Sequence, residues 1–294
     1  MDDNNGNRDT LDLSVVIPAY NEEQAISSVI KKTQKEIHDL DLDYEIIVVD
    51  DCSNDRTKVF AEKAGANVLE HPYNIGNGAA IKSGIRVARG RWIVFMDGDG
   101  QHDPVYIKQL LQEMDDYQMV VGARQMDHNT DFHRDFGNRI YNWLASYVCN
   151  RKIEDLTSGF RAVRADVARE FLHLLPNTFS YPTTLTLAVA RSGYPFKYFP
   201  IDVSRRKGKS KIKLLRDGLR FLMIIFKVST LFSPLKIFVP ASLGLFGLGF
   251  SYGLYKVLVL NTRYGPTSAL LMTMSGLVFL IGLVSEQLTQ LRYQ

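Results

Sequence analysis

Over the first two hundred positions the apolar residues come in short unbroken runs, and each run stops at a cluster of polar ones. Leu13–Tyr20 (LSVVIPAY) carries Pro18 near its end, and Tyr44–Asp51 (YEIIVVDD) finishes in two carboxylates. Between them Ala25, Ile26, Val29, Ile30 and Ile37 recur at helical spacing, with Asn21 as the expected cap and acids in the first turn. The alternation continues with a predicted helix over about 55–64, a strand ANVLEH, a helix around GAAIKSGIRVA and a strand RWIVFMD. A further helix opens at DPVYIKQLLQEM, with Asp103 as cap and Pro104 in the first position. Continuous apolar strands alternating with amphipathic helices predict an α/β fold, a mostly parallel sheet with helices on both faces. Such sheets bind ligands at the carboxyl ends of their strands. That edge should gather Pro18, Tyr20 and Glu22 after the first strand, Asp50 and Asp51 after the second, and Asp97, Asp99 and Gln101 after RWIVFMD.

Beyond Val203 the pattern changes. Ile212, Leu215, Leu219, Leu222 and Phe226 are spaced as one face of a helix with basic residues between them, the pattern of a segment lying at a lipid headgroup boundary. An ordinary surface helix has the same periodicity. Ile237–Leu260 then offers 24 residues with one charge, Lys256, and Thr267–Ser285 offers 19 with none. Each meets the roughly 20-residue length of a spanning helix; a buried hairpin in a soluble core is the competing reading. Only six residues, NTRYGP, separate them, so both outer ends should lie on one side of a membrane. The expected organisation is a disordered tail over 1–11, an α/β domain over 12–204, a basic amphipathic segment over 205–236 and a transmembrane hairpin over 237–288.

Charge sharpens this division. The chain's net charge is only +3, but Arg205–Lys236 holds ten Lys or Arg against one acid, Asp217. That excess implies an anionic surface or ligand and places its side of the membrane in the cytoplasm by the positive-inside rule. Cys52 and Cys149 stand far apart, with neither disulfide-framework nor zinc spacing. The polar start MDDNNGNRDT has no apolar core, so no secretory leader is expected.

The chemistry gathers at Asp97-Gly98-Asp99-Gly100-Gln101. Two carboxylates and an amide oxygen on a glycine-containing turn are hard oxygen donors that suit Mg²⁺ or Mn²⁺. A solvated turn has the same composition, and His102 reads as a neighbour of the site, not a ligand. Gly76 and Gly78 lack the G-K-[ST] of a phosphate loop. Close backbone approach to a ligand, or a plain helix start, accounts for them.

IPAYNEE, VVDDCSNDRT, NIGNGAAIKSG and MDGDGQHDP, in this order and spacing, resemble the inverting family-two glycosyltransferases of the GT-A type over Leu13–Phe160. The resemblance implies that Pro18, Tyr20, Glu22, Asp50 and Asp51 hold the donor nucleotide. It also implies that Asp97, Asp99 and Gln101 hold a metal bridging the donor diphosphate. GARQ, HRDFGNRIYN, DLTSGFR and RRKGKSK further resemble the polyprenyl-phosphate group, which includes dolichol-phosphate mannose synthase. By that likeness Arg124, Arg134 and Asn138, the last standing where the group has serine, bind the lipid phosphate; Arg205 and Lys211 reach the phosphates. Asn77 stands where many relatives carry a basic residue, so no phosphate contact is expected of it.

The implied reaction is transfer of a hexose from a GDP- or UDP-sugar to a polyprenyl phosphate, with Asp99, Arg124 and Arg134 central to it. A sugar hydroxyl needs a general base, whereas a phosphomonoester with a second pKa of about 6 is already largely dianionic at neutral pH. If a base were needed, Asp155 would be the candidate; helix capping is its other reading. A processive synthase is disfavoured, since the only R-W pair, Arg91-Trp92, precedes the aspartates and has Ala88 where the motif needs Gln. Transfer to a lipid-linked glycan and a non-catalytic membrane scaffold are the remaining alternatives. No nucleic-acid partner is expected, and the glycines of SLGLFGLGFSYG suit close helix packing, including that of a homo-oligomer.

Overall fold

Strands β1 (Leu13–Ala19) and β2 (Tyr44–Asp50) pair in parallel, from Leu13 opposite Tyr44 to Ala19 opposite Asp50. Every residue of β1 is buried, as expected of a strand covered on both faces. In this computed structural model residues 11–124, 132–178, 180–203 and 233–291 are described, with single positions between 223 and 230; for 132–138 and 290–291 only the backbone is. The chain divides into two units, Met1–Phe221 and Leu222–Gln294. Residues 1–10 of the expected 1–11 tail, and 205–222 of the expected 205–236 basic segment, lie outside the described residues.

The first unit holds a seven-stranded sheet. With β3 (Asn67–Glu70), β4 (Trp92–Phe95), β5 (Met119–Arg124), β6 (Arg161–Arg164) and β7 (Phe196–Ile201), the order is β3-β2-β1-β4-β6-β5-β7. The sheet is mostly parallel, with one departure. Strand β6 runs antiparallel to both neighbours, Phe95 facing Arg161 and Val121 facing Arg161 from the other side. Its amino end therefore meets the carboxyl ends of β4 and β5.

Helices cover both faces because successive strand residues point to opposite sides. Val15 and Ile17 join a core with Ile26, Ile30 and Ile37 of α1 (Ile26–His38) and with Ile107 and Leu110 of α4 (Tyr106–Gln112). On the other face Gly84 of α3 (Asn77–Val87) lies directly on Val16, leaving no room for a Cβ. The remaining helices are α2 (Thr57–Lys63), α5 (Phe132–Cys149), α6 (Ala165–Glu170) and α7 (Tyr181–Arg191).

Asn21 does not cap α1. The helix begins at Ile26, with Ala25 preceding it and no acid in its first turn. Asn21 instead adopts φ 58° and ties the first loop to the second: its amide donates to Ser53 Oγ at 2.9 Å, and its Oδ1 accepts from the Asn54 amide at 2.8 Å. Asn tolerates the left-handed region, and these tertiary bonds occupy the groups a cap would use. Asp103 does not cap α4 either: the helix begins at Tyr106 with Val105 before it, and Asp103 Oδ1 accepts from the Val105 amide at 3.1 Å in the turn that leads into it, with Pro104 in that turn.

The second unit is a hairpin of α8 (Leu235–Leu258) and α9 (Pro266–Leu291), both long and apolar enough to cross a membrane. Two of the expected glycines work inside it. Gly249 sits against Ser268 and Leu271, and Gly253 against the Tyr264 ring, where side chains would collide. Gly244 and Gly247 face open space. Across the pair, Ser275 Oγ donates to the Ser242 carbonyl at 2.7 Å. Such short polar contacts between small residues hold helices together where apolar burial gives little drive.

Candidate active site

Sheet register brings the predicted loops together. Ala19 lies opposite Asp50, and the Asp51 amide donates to the Ala19 carbonyl at 2.9 Å, so the first and second loops leave the sheet side by side. On the other side of β1, the Met96 amide donates to the Val16 carbonyl at 3.2 Å, which carries the next residues past Pro18. A Cβ on Gly98 would stand 3.3 Å from the Pro18 carbonyl oxygen. Pro18, Tyr20, Asp50, Asp51 and Asp97 thus share one edge, with Tyr20 exposed and both Asp50 and Asp51 buried.

The first two loops are laced by side chain to backbone bonds. Glu22 and Glu23 amides donate to Thr57 Oγ1 at 2.8 Å and Asp55 Oδ2 at 3.2 Å. Asp50 Oδ1 accepts from the amide and hydroxyl of Ser53. Asp51 has the densest set of partners. Its Oδ1 accepts from the Ile75 amide at 2.9 Å and faces His71 Nδ1 at 2.7 Å, while its Oδ2 accepts from the Gly76 amide at 2.8 Å. Both side-chain oxygens of Asp51 are thus engaged with the protein. His71 went unnoticed in the sequence, although the carboxyl-edge rule applied to β3 points straight at it.

Asp97 and Asp99 stand on the turn after β4, with Gln101. Asp99 Oδ1 accepts from the Gln101 amide at 3.0 Å, which closes the turn and keeps both side chains on one loop. His102 is buried against Phe160, ring centroids 5.3 Å apart, with its Nδ1 3.9 Å from Asp97 Oδ2 and lacking a hydrogen bond. Among the described residues no group of three His, Cys, Asp or Glu is gathered as a metal cage. Two carboxylates and an amide oxygen remain, and this donor set fits a hard cation that keeps positions for phosphate and water.

Because β6 is antiparallel, the segment before it meets Asp97. A Cβ on Gly159 would lie 3.2 Å from Asp97 Oδ2. Tyr181 Oη donates to the Gly159 carbonyl at 3.0 Å; burial, with Asp97 adding to it, pushes the phenol's pKa far up and keeps it a donor. Arg161 is fully buried and donates to the Ser158 and Pro182 carbonyls and to Thr186 Oγ1, fixing this loop to α7.

Arg124 ends β5 beside this loop. Its Nε and Nη2 donate to Asp155 at 2.8 and 2.9 Å, and Nη2 also to Thr157 Oγ1. Burial works against both charges, yet the fork of hydrogen bonds outweighs it. The Arg124 pKa is raised, with Asp97 contributing, and that of Asp155 is held below the usual carboxylate range. An ionised carboxylate clamped to an arginine is a poor general base, so Asp155 corrects to an anchor for Arg124. It closes the turn onto the Thr157 amide at 3.1 Å and caps no helix.

Gly76 and Gly78 also find another explanation than approach to a ligand. Cβ atoms there would run into the backbone of 176–178, whose carbonyls accept from the Gly78 and Ala79 amides at 3.0 and 2.7 Å. The start of α3 is thus satisfied within the protein. Arg134 and Asn138 lie one turn apart in α5, described by backbone only; Arg205 and Lys211 lie outside the described residues.

Comparison with known proteins agrees with this geometry. Residues 14–172 match glycosyl transferase family 2, and residues 233–291 match the GtrB C-terminal hairpin. The undecaprenyl-phosphate 4-deoxy-4-formamido-L-arabinose transferase of Edwardsiella ictaluri is 28% identical over 266 residues, 86% of this chain and 78% of that protein. The dolichyl-phosphate beta-glucosyltransferase of Drosophila melanogaster is 34% identical over 185 residues, 55% of this chain and 57% of that protein. Among solved structures, glucosyl-3-phosphoglycerate synthase from Mycobacterium tuberculosis, in complex with Mn²⁺, UDP and phosphoglyceric acid, aligns with a TM-score of 0.60 at 20% identity, covering 74% of this chain and 78% of that one. That likeness bears on the fold alone. With more than half its length matched, the chain belongs to glycosyl transferase family 2 and is a glycosyltransferase.

Proposed function

We propose that this enzyme transfers a hexose from a GDP- or UDP-sugar to a polyprenyl phosphate, with inversion, at the cytoplasmic face of a membrane. The observation that carries this reading is the combination, in one chain, of the Asp97–Gly159–Arg124 cluster at the carboxyl edge with a hairpin of two membrane-length helices. The relatives named for undecaprenyl-phosphate and dolichyl-phosphate sugar transfer support it.

The acceptor phosphate oxygen attacks the anomeric carbon, and the bond to the nucleoside diphosphate breaks on the opposite side. No proton must be removed from a phosphate that is already dianionic, which agrees with Asp155 being tied to Arg124. Tyr20, Glu22 and Asp50 shape the nucleotide end. Asp97, Asp99 and Gln101 would hold Mg²⁺ or Mn²⁺, which when bound would supply positive charge to the diphosphate leaving group. Arg124, held by Asp155, binds the lipid phosphate together with Arg134 and Asn138, and Arg205 and Lys211 reach over the diphosphate or the product phosphate. The enzyme's work is then to hold two anions in line.

Membranes containing the full chain, given a panel of nucleotide sugars and a polyprenyl phosphate, should yield a polyprenyl-phosphate sugar identified by mass. Absence of that product from every donor overturns the reading. Arg134→Ala should raise the KM for lipid phosphate at least about tenfold, as for loss of a charge-assisted contact, and leave the donor KM near parent. Equal increases in both would show that Arg134 does not belong to the acceptor site. Gly159→Ala pushes a methyl toward Asp97 and should lower kcat by about 10- to 100-fold, since ångström-scale misplacement of an active group costs this much. Parent-like turnover would mean that Asp97 sits clear of the reaction.

A further inference from the structure

The densest polar network at the nucleotide end has no part in the reading above. Asp51, His71 and Ser83 form a buried chain: Asp51 Oδ1 to His71 Nδ1 at 2.7 Å, and His71 Nε2 to Ser83 Oγ at 2.9 Å. The side chains of Asp51 and His71 are 5% and 8% exposed, so water cannot replace either partner. The order serine, histidine, carboxylate is that of a hydrolytic triad, but here the carboxylate also takes two backbone amides, Ile75 and Gly76, and Asn74 Nδ2 donates to the Asp51 carbonyl at 3.3 Å. The His71 amide donates to the Asp50 carbonyl at 2.9 Å, which pins the far end. Everything in the network converges on the turn from His71 to Gly76.

That turn leaves the sheet beside the first and second loops, because the Asp51 amide is bonded to Ala19 at the end of β1. It carries Tyr73, which is 65% exposed. A flat ring presented to solvent at a nucleotide edge suits stacking on a base.

Building on the transferase reading, we infer that His71 is a positioning residue for the donor nucleotide: it orients Asp51 so that Asp51 draws down the Ile75 and Gly76 amides and sets the turn that offers Tyr73 to the base, while Ser83 only closes the far ring nitrogen. With Asp51 Oδ1 as the acceptor, His71 Nδ1 carries the proton of that hydrogen bond, and Nε2 is left to the Ser83 hydroxyl. The arm toward Asp51 matters more than the arm toward Ser83, since only the first holds the turn.

This asymmetry can be tested with isosteres. In Asn, Nδ2 occupies the place of His Nδ1; in Gln, Nε2 approaches the place of His Nε2. The full-length protein in detergent is titrated with UDP and with GDP in the presence of Mn²⁺, and donor and acceptor KM are measured. His71→Asn and Ser83→Ala should stay within about threefold of parent nucleotide affinity. His71→Gln and His71→Ala should weaken nucleotide binding and raise donor KM about 10- to 100-fold, the range for residues that orient a ligand-holding group, with acceptor KM unmoved. In a Tyr73→Ala background, His71→Gln should add little, because coupled residues are non-additive.

Equal affinity in all His71 variants, a better Gln than Asn variant, parallel rises in donor and acceptor KM, or additive losses with Tyr73→Ala would each overturn the inference. Thermal unfolding of His71→Asn and Ser83→Ala, both mild changes, shows that the comparison is made on folded protein. A parent protein that binds neither nucleotide and transfers no sugar would overturn the transferase reading itself, which is a different outcome from a parent that binds while its variants bind equally.

Discussion

Asp99→Ala should reduce sugar transfer by at least about a thousandfold, while membrane insertion and the unfolding of the hairpin stay as in the parent. The physical reason is that loss of charge stabilisation at a leaving diphosphate costs several kcal/mol, and each 1.36 kcal/mol is about a factor of ten in rate. Asp99 is also the acceptor that closes its own turn, through the Gln101 amide at 3.0 Å, so Asp99→Asn is the companion variant. It retains an oxygen for that bond and lacks the charge. If charge is what matters, the two variants should be similarly inactive, and the dependence of any residual transfer on Mn²⁺ concentration should shift upward in both. Transfer at the parent rate by Asp99→Ala would remove the metal-site assignment.

Asp155→Ala should destabilise the first unit by about 3 kcal/mol, the lower end of the range for breaking a buried ion pair. The lower end applies because the Arg124 side chain remains 34% exposed while that of Asp155 is 11% exposed, so water partly rehydrates the abandoned guanidinium. Both tryptophans, Trp92 and Trp143, lie in this unit, so their emission follows its urea unfolding. The pH dependence has a definite sign. The pKa of Asp155 is held below the usual carboxylate value in the folded state. Its stabilisation is therefore fully present above the unfolded pKa of about 3.9 and is lost as pH falls through the lower folded value. Parent and variant should differ most near neutral pH and converge in strong acid. Asp155→Asn separates the anchoring role from a general-base role. A base could be replaced by Asn with loss of kcat and unchanged stability, whereas an anchor for Arg124 loses both.

Two arginines illustrate how differently sequence and structure speak. Arg124 is expected at the lipid phosphate by resemblance, and Arg161 stands in DLTSGFR with no role assigned to it. In the fold one is clamped by Asp155, 31 residues away in sequence, and the other is sealed inside against carbonyl oxygens of the Ser158 and Pro182 peptides. A buried guanidinium must find acceptors wherever packing puts them, and nothing local to either residue announces which.

Much was legible at the level of single elements. The apolar runs located β1 to β4, the helical spacing located α1 to α4, and the two long apolar stretches located α8 and α9, with α9 continuing past the expected end at Ser285 to Leu291. Run length and periodicity report local burial directly, which is why they sufficed. The carboxyl-edge rule then placed Pro18, Tyr20, Asp50, Asp51 and Asp97 together without any coordinates. What the tertiary structure alone decided is how polar groups at that edge are shared out. Insertion of the antiparallel β6 between β4 and β5 set Gly159 against Asp97. Asn21 was drawn from helix capping to a bond across to Asn54, and Gly76 and Gly78 were shaped by the backbone at 176–178. Asp51 was turned from a free carboxylate into the centre of a network with His71. Each of these is a choice of partner between residues distant in sequence, made because a buried donor or acceptor without water must pair with what packing brings within 3 Å.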